Sequence, residues 1–248
     1  MDTLNDWLGD ADTFVWGPWF LIPLLLGTGL ILTIRLRGVQ FRKLFPALRL
    51  GLLDRNDDDG EGDISQYQAL TTALAATVGV GNIVGVATAI SIGGPGALFW
   101  MWITGLLGMA SKYSEAFLGV RYRIADAKGN MSGGPQRYLE RGIKGPLGKF
   151  LAWFFAIAAV VASFGIGNMT QANAVSANLE ESFNIDPTVS GIIMFIFIGA
   201  VLLGGIQSIG KVTSAFVPLM IVIYIIGGIV VLCINASEIP HAFGLIFS

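Results

Sequence analysis

Charge is scarce in this sequence. Asp, Glu, Lys and Arg make up 13% of its 248 residues, roughly half the share found in a soluble domain. So little charge cannot solvate a large surface, which excludes an ordinary soluble enzyme and a disordered segment. The formal net charge is −2, so nothing draws the chain to nucleic acid, and no nucleic-acid partner is expected. Cysteine occurs only as Cys233, which rules out an internal disulfide framework. Histidine occurs only as His241. With one His and one Cys, no Ser-His-Asp arrangement and no metal-ligand cluster is apparent. No enzymatic activity is expected.

What fills the chain is apolar. Hydrophobic residues reach 54% and mean hydropathy is +0.69. Glycine, at 33 residues, is in excess, as it is in membrane helices. Crossing a bilayer core of ~30 Å takes about 20 residues. Apolar runs near 14–34, 65–92, 97–120, 150–177, 189–206 and 212–234 approach or exceed that length. None shows the one-sided period of a soluble amphipathic helix. The expected fold is an all-α membrane protein with six transmembrane helices. The first run is no signal peptide, because Asp2, Asp6, Asp10 and Asp12 precede it where a signal needs basic residues.

The basic residues sort by side. Arg35, Arg37, Arg42, Lys43, Arg49 and Arg55 lie between the first and second runs. Arg121, Arg123, Lys128, Arg137, Arg141, Lys144 and Lys149 lie between the third and fourth, and Lys211 between the fifth and sixth. The N-terminal tail and loops 93–96, 178–188 and 235–243 carry none. Positive charge marks the cytoplasmic side, so the N-terminus is expected outside a plasma membrane, in a prokaryote the inner one.

Phe41, Leu44, Phe45, Leu48 and Leu52 stand at helical spacing among Arg42, Lys43 and Arg49. They suit either a helix lying along the membrane lipid of the inner leaflet or a connecting helix packed on the bundle. The acidic run 57–63 resembles a calcium loop, but alignment on Gly60 puts Arg55 and Gln66 where carboxylates are needed. It reads as a solvated linker. Lys112 and Glu115, three apart inside the third run, read as an ion pair, with Lys112 also able to snorkel toward the inner leaflet.

The second run is interrupted. Gly79, Gly81 and Gly85 stand near its midpoint with Thr77 and Asn82 among them. Each Gly costs about 0.8–1.0 kcal/mol against Ala inside a helix, so the helix is expected to break at residues 79–82. Broken backbone at membrane depth is tolerated where it lines a cavity or is buried in protein. A second half-helix starting near Gly81 would turn free N–H groups and a positive dipole end toward a carboxylate. A first half ending near Thr77 or Val78 would leave carbonyls suited to a desolvated cation such as Na+. The competing reading is that Gly81-x-x-x-Gly85 lets another helix pack closely. A second polar set, Ser163, Asn168, Thr170, Gln171, Asn173 and Ser176, lies in the fourth run. Its density exceeds what helix packing usually needs, and Gln171, whose amide can donate or accept, is the candidate ligand group.

Segment 93–108, which opens Gly93-Gly94-Pro95-Gly96-Ala97, resembles the signature of the alanine/glycine:cation symporter family, also called sodium:alanine symporters. So do segment 68–78 and Gly129-Asn130-Met131-Ser132-Gly133-Gly134-Pro135. The likeness runs from about 65 to 177, with the flanks similar in hydropathy only. It implies a leucine-transporter-type fold of two inverted five-helix repeats, here preceded by one extra span. It further implies sodium-coupled symport of a small neutral amino acid, alanine or glycine, with Na+ as coupling ion and no cofactor.

Val78-Gly79-Val80-Gly81-Asn82 is similar to the Val-Gly-Leu-Gly-Asn break of the neurotransmitter:sodium symporters. By that likeness, N–H groups of Val80 and Gly81, beside Gly79, hold the substrate carboxylate. Carbonyls of Ala75 and Val78 face one sodium position. Thr77 and Asn82 face a second position or the substrate, and Gln171 with Asn168 reaches the substrate from the third core helix. Val80 departs from the Thr expected in the family, and the lost hydroxyl bears on substrate or ion preference.

Length is the larger departure, since this fold requires eleven spans. The expected organisation is a tail and extra span (1–34), a cytoplasmic linker with an amphipathic helix (35–64), the first repeat (65–234), and an outer loop with the start of a missing second repeat (235–248). The chain is thus expected to be an incomplete N-terminal portion, needing the C-terminal half to complete its sites. The alternatives are a related secondary transporter with another ion or substrate, and a non-transporting membrane subunit.

Overall fold

The structure, a computed structural model, describes residues 2–52, 62–127, 129–165 and 167–247. Most of the acidic run, 57–61, lies outside the described residues, and with it the calcium-loop and solvated-linker readings. So does the side chain of Leu52.

The described residues are almost wholly helical. The acidic N-terminal tail is itself helix α1 (Asp2–Trp16), followed after a turn at 17–20 by α2 (Leu21–Arg35). Arg37 and Gly38 both take left-handed backbone angles, φ 54° and 64°, and fold the chain back beneath α2. The segment expected to be amphipathic forms two short helices, α3 (Val39–Arg42) and α4 (Leu44–Leu52). A capping box between Ser65 and Gln68 starts α5 (Gln66–Thr77). A π-helical turn (Gly81–Gly85) leads into α6 (Val86–Gly93), then α7 (Ala97–Arg121). A small antiparallel hairpin, β1 (Ile124–Ala125) and β2 (Met131–Ser132), precedes α8 (Pro135–Gly142) and α9 (Pro146–Ser163). Then come α10 (Met169–Phe183), α11 (Pro187–Leu203), α12 (Gly205–Ile234) and α13 (Ile239–Phe247). Pro135, Pro146 and Pro187 open their helices, where a missing N–H costs nothing.

Packing rests on close pairs: α2 lies along α7, α5 along α12, and α8 against α9. Small residues set the approach. A methyl group on buried Gly29 would stand 2.9 Å from Cβ of Leu107. Gly210 of α12 similarly faces Ile64 and Gln68. Ser176 and buried Ser190 join α10 to α11 through their hydroxyls at 2.8 Å. Elsewhere the helices turn large side chains outward, Trp153, Phe195 and Leu203 among them, a surface for lipid or other apolar helices rather than water.

Three helical stretches among the described residues are long and apolar enough to cross a membrane: Asn5–Arg35, Pro146–Ser163 and Gly205–Ile234. A fourth is the bent pair Gln66–Thr77 and Gly81–Gly93. Helix α7, at 25 residues, spans about 37 Å, but Ser111, Lys112, Ser114 and Glu115 dilute its apolar character. Helix α11 is apolar and, at 17 residues, slightly short.

Several expected boundaries shift. The run 150–177 is two helices: α9 stops at Ser163 and α10 begins at Met169. Ser163 turns its hydroxyl onto the Val160 carbonyl, and Gly165 and Gly167 follow, so helix propensity collapses there. The sixth run begins earlier than 212. Gly204 alone separates α11 from α12, which Gly205 opens at φ 66°, so Lys211 sits inside a helix rather than in a loop. Most of the expected loop 235–243 is helical, as the turn Ala236–Glu238 and the start of α13. Phe243 and Phe247 of α13 reach the aromatic rings of Trp102 and Phe99 on α7.

Candidate functional site

Helix α5 ends at Thr77, and its axis turns by 51° before the helix resumes at Gly81. Val78 is extended (φ −91°, ψ 104°), whereas Val80 is already helical (φ −54°, ψ −36°). The expected break thus falls at the expected residues. Its hydrogen bonds explain how it is held. Gly79 donates its N–H to Oδ1 of Asn82 at 3.2 Å, and Asn82 donates its own N–H to the Gly79 carbonyl at 3.0 Å. In a continuous helix those two N–H groups would serve the carbonyls four residues earlier, which are Ala75 and Val78. Asn82 therefore takes over the donor that the broken helix frees and vacates the two carbonyls singled out for a cation.

The other candidate residues divide. Gln171 of α10 comes to the break: a methyl group on Gly79 would stand 3.7 Å from its Oε1. Asn168 precedes α10, its carbonyl accepting the Ala172 N–H. No hydrogen bond among the described residues joins its amide to the break. Thr77 donates its hydroxyl to Ala73 at 2.7 Å, leaving that oxygen's lone pairs as its contribution. A methyl group at Gly81 or Gly85 would meet nothing within 4 Å, so among the described residues no helix packs against these glycines. Val80 and Gly81 begin the second half-helix, where backbone N–H groups and the dipole favour an anion.

The break opens onto a cavity of about 360 Å³. Leu74, Val78, Asn82 and Ile83 form one side, and Met220 and Tyr224 of α12 stand on the other. Sequence reasoning missed the α12 wall, because a uniformly apolar 30-residue helix gives no period from which to choose a face. A signal was present in Gly210-Lys211-Val212-Thr213-Ser214, whose small residues at each end mark a packing face. That face makes the seam with α5. Oγ1 of Thr72 and Thr213 are 3.0 Å apart, and the Tyr67 hydroxyl donates to the Ser214 carbonyl at 3.4 Å.

Charge lies away from this cavity. Lys112 pairs with Glu115 at 3.1 Å, as expected, with both side chains largely exposed. Tyr138 of α8 has its hydroxyl pKa raised by burial first and by the nearby Glu115 carboxylate second. Asp186 accepts the Thr188 N–H at 2.8 Å where α11 begins, and that bond holds its carboxyl below the ordinary carboxylate range. No group of three His, Cys, Asp or Glu residues suited to a metal ion occurs among the described residues. Cation chemistry at the break would therefore rest on neutral oxygens.

A broken apolar helix beside a cavity, its carbonyl end without a partner among the described residues, is an arrangement that secondary transporters use. The chain belongs to the sodium:alanine symporter family, whose model matches residues 1–248. It is 52% identical over 239 residues, 96% of its length, to the sodium/alanine symporter AgcS of Methanococcus maripaludis. It is 42% identical over 250 residues to the uncharacterized transporter YflA, and 33% identical over 243 residues to the amino-acid carrier protein AlsT, both of Bacillus subtilis. These alignments cover 52%, 52% and 50% of the respective relatives, so the chain spans about half the length of the curated relatives it matches. It is a multi-pass membrane protein of a non-enzymatic transporter family.

Proposed function

We propose that the chain is the N-terminal half of a sodium-coupled symporter for a small neutral amino acid, alanine or glycine, in the plasma membrane. The observation that carries this reading is the Gly79–Asn82 clasp, which holds a membrane helix open and leaves the Ala75 and Val78 carbonyls without a partner among the described residues. Na+ binds these carbonyls together with Thr77 or Asn82. The substrate carboxylate binds the N–H groups of Val80 and Gly81, Gly79 permits its close approach, and Gln171 contacts the substrate from the side. Asn168 stands one turn before Gln171 and serves the same face once the second half is present.

In this reading α7 and α11 join the other spans to make six, one extra helix (1–34) and a first repeat (65–234) of the leucine-transporter type. Residues 35–64 are cytoplasmic and the N-terminus is outside. Support for that orientation comes from the Arg and Lys residues of 35–55 and 121–149, against none in 93–96 or 178–188. The C-terminal half of the family completes both sites.

The test is ligand-linked stability of the whole protein in detergent. Alanine should raise the unfolding temperature when Na+ is present and leave it unchanged when K+ replaces Na+, since a ligand stabilises only the state it binds. An equal shift in both salts contradicts sodium coupling at this site.

A further inference from the structure

Segment 129–135, one of the three that carry the family likeness, has no part in the site at the break. It is built as a firm support. The Asp126 carboxylate accepts the Asn130 N–H at 2.9 Å, and the Asn130 carbonyl accepts the Asp126 N–H at 2.9 Å. A methyl group on Gly133 would stand 2.7 Å from the Gly119 carbonyl oxygen, so a side chain there would push the segment off the end of α7. Gly134 then takes φ 98°, a strained angle for any other residue, and Oγ of Ser132 accepts from Nε of Arg137 at 3.3 Å. Met131 pairs with Ala125 across the hairpin. Its N–H leaves the hairpin and donates to Oδ2 of Asp63 at 3.0 Å.

Asp63 stands just before Ser65, the cap of α5. Its carboxylate ties the N-terminal end of that helix to the connection between α7 and α8. Both Asp63 and Met131 are half-buried, and a bond to an ionised acceptor is stronger than a neutral one. The other end of α5 is the break, where Val78 is extended. Twelve helical residues separate the two ends, a lever of about 18 Å. A restraint at the end of a lever fixes its angle at the hinge, and that angle places the Ala75 and Val78 carbonyls relative to Asn82. We propose that Asp63 is a positioning residue, which with the Met131 N–H latches the first half of α5 and so sets the geometry of the break. On the reading of those carbonyls as a sodium position, the latch favours sodium. Coupling is reciprocal, so sodium tightens the latch.

The test uses the whole protein in detergent, with hydrogen exchange read by mass spectrometry and sodium affinity read from the sodium dependence of the unfolding temperature. In sodium-free buffer Asp63→Ala should raise exchange about tenfold in the peptide spanning 78–85, and it should weaken sodium binding about tenfold. Asp63→Leu, of closer shape, should do the same if the Ala variant folds poorly. Asp63→Asn keeps a neutral acceptor and should stay within about threefold of the unaltered protein. Sodium should slow exchange at Met131 in the unaltered protein and not in Asp63→Ala. Unchanged exchange at 78–85 in the variants overturns the latch, even where the unfolding temperature falls, because Asp63 is then a strut of the fold alone. In a protein that sodium stabilises, unchanged sodium affinity or sodium-indifferent exchange at Met131 overturns the coupling. An unaltered protein indifferent to sodium contradicts the sodium reading instead, and exchange at 78–85 still decides the latch.

Discussion

Oδ1 of Asn82 accepts the backbone N–H of Gly79 at 3.2 Å, and the Gly79 carbonyl accepts the N–H of Asn82 in return. The pair closes a small ring at the bend of α5. It costs the helix two regular hydrogen bonds and recovers both donors. Asn82→Ala removes the acceptor and returns the Gly79 N–H to Ala75. The expected result is at least a tenfold loss of sodium-driven alanine uptake with surface expression maintained, checked by transport assay and immunoblot on the same vesicles. Equal loss of both would make Asn82 a packing residue.

Two glycines should respond oppositely to the same substitution. Gly29→Ala drives a methyl group to 2.9 Å from Leu107 Cβ and 3.0 Å from its carbonyl oxygen, an overpacking cost of about 1–3 kcal/mol. Thermal unfolding in detergent should show the loss. At Gly79 the nearest neighbour of an added methyl is Gln171 Oε1 at 3.7 Å, ordinary contact. Gly79→Ala should therefore fold normally, favour an unbroken helix by about 1 kcal/mol, and lower transport several-fold.

The seam between α5 and α12 is measurable by a double-mutant cycle. The Thr213 hydroxyl sits 2.9 Å from the Ile209 carbonyl, so Thr72 is the donor between the two threonines. Thr72→Val and Thr213→Val should each destabilise the protein, with a coupling of about 0.6 kcal/mol, typical of hydrogen bonds between membrane helices. Additive effects would show that the two hydroxyls act independently.

The broken helix was legible in the sequence because Gly79, Gly81 and Asn82 oppose helix formation locally, and local chemistry decides where a helix stops. The division at Ser163 was missed for the converse reason. A run that stays apolar through Phe164 and Ile166 hides two glycines that matter more than its hydropathy. Gln171 could be nominated from its type, but its approach to Gly79 depends on how α10 folds back, which no spacing encodes. Met220 and Tyr224 were invisible because α12 is apolar on every side, and only its pairing with α5 selects the face beside the break.

Asp186 supplies a pH-dependent contact outside the spans. Its folded pKa lies below the ordinary value because the carboxylate accepts the Thr188 N–H. The bond is therefore fully present above the unfolded pKa, near 3.9, and is lost as pH falls through the lower folded value. The protection factor of the Thr188 amide, its exchange rate relative to the intrinsic rate at each pH, should fall only at that acid end. Asp186→Ala should show fast exchange at neutral pH, and Asp186→Asn should retain protection without the acid transition. A protection factor that stays constant through the acid range in the unaltered protein would contradict the cap.

Sodium-driven uptake tests the central claim most directly. Labelled alanine would be presented to vesicles carrying the whole protein, with an inward sodium gradient or with equal sodium on both sides. Uptake that overshoots its equilibrium level only under the gradient is the predicted result. Uptake indifferent to the gradient would contradict a sodium-coupled symporter built on the break between Gly79 and Asn82.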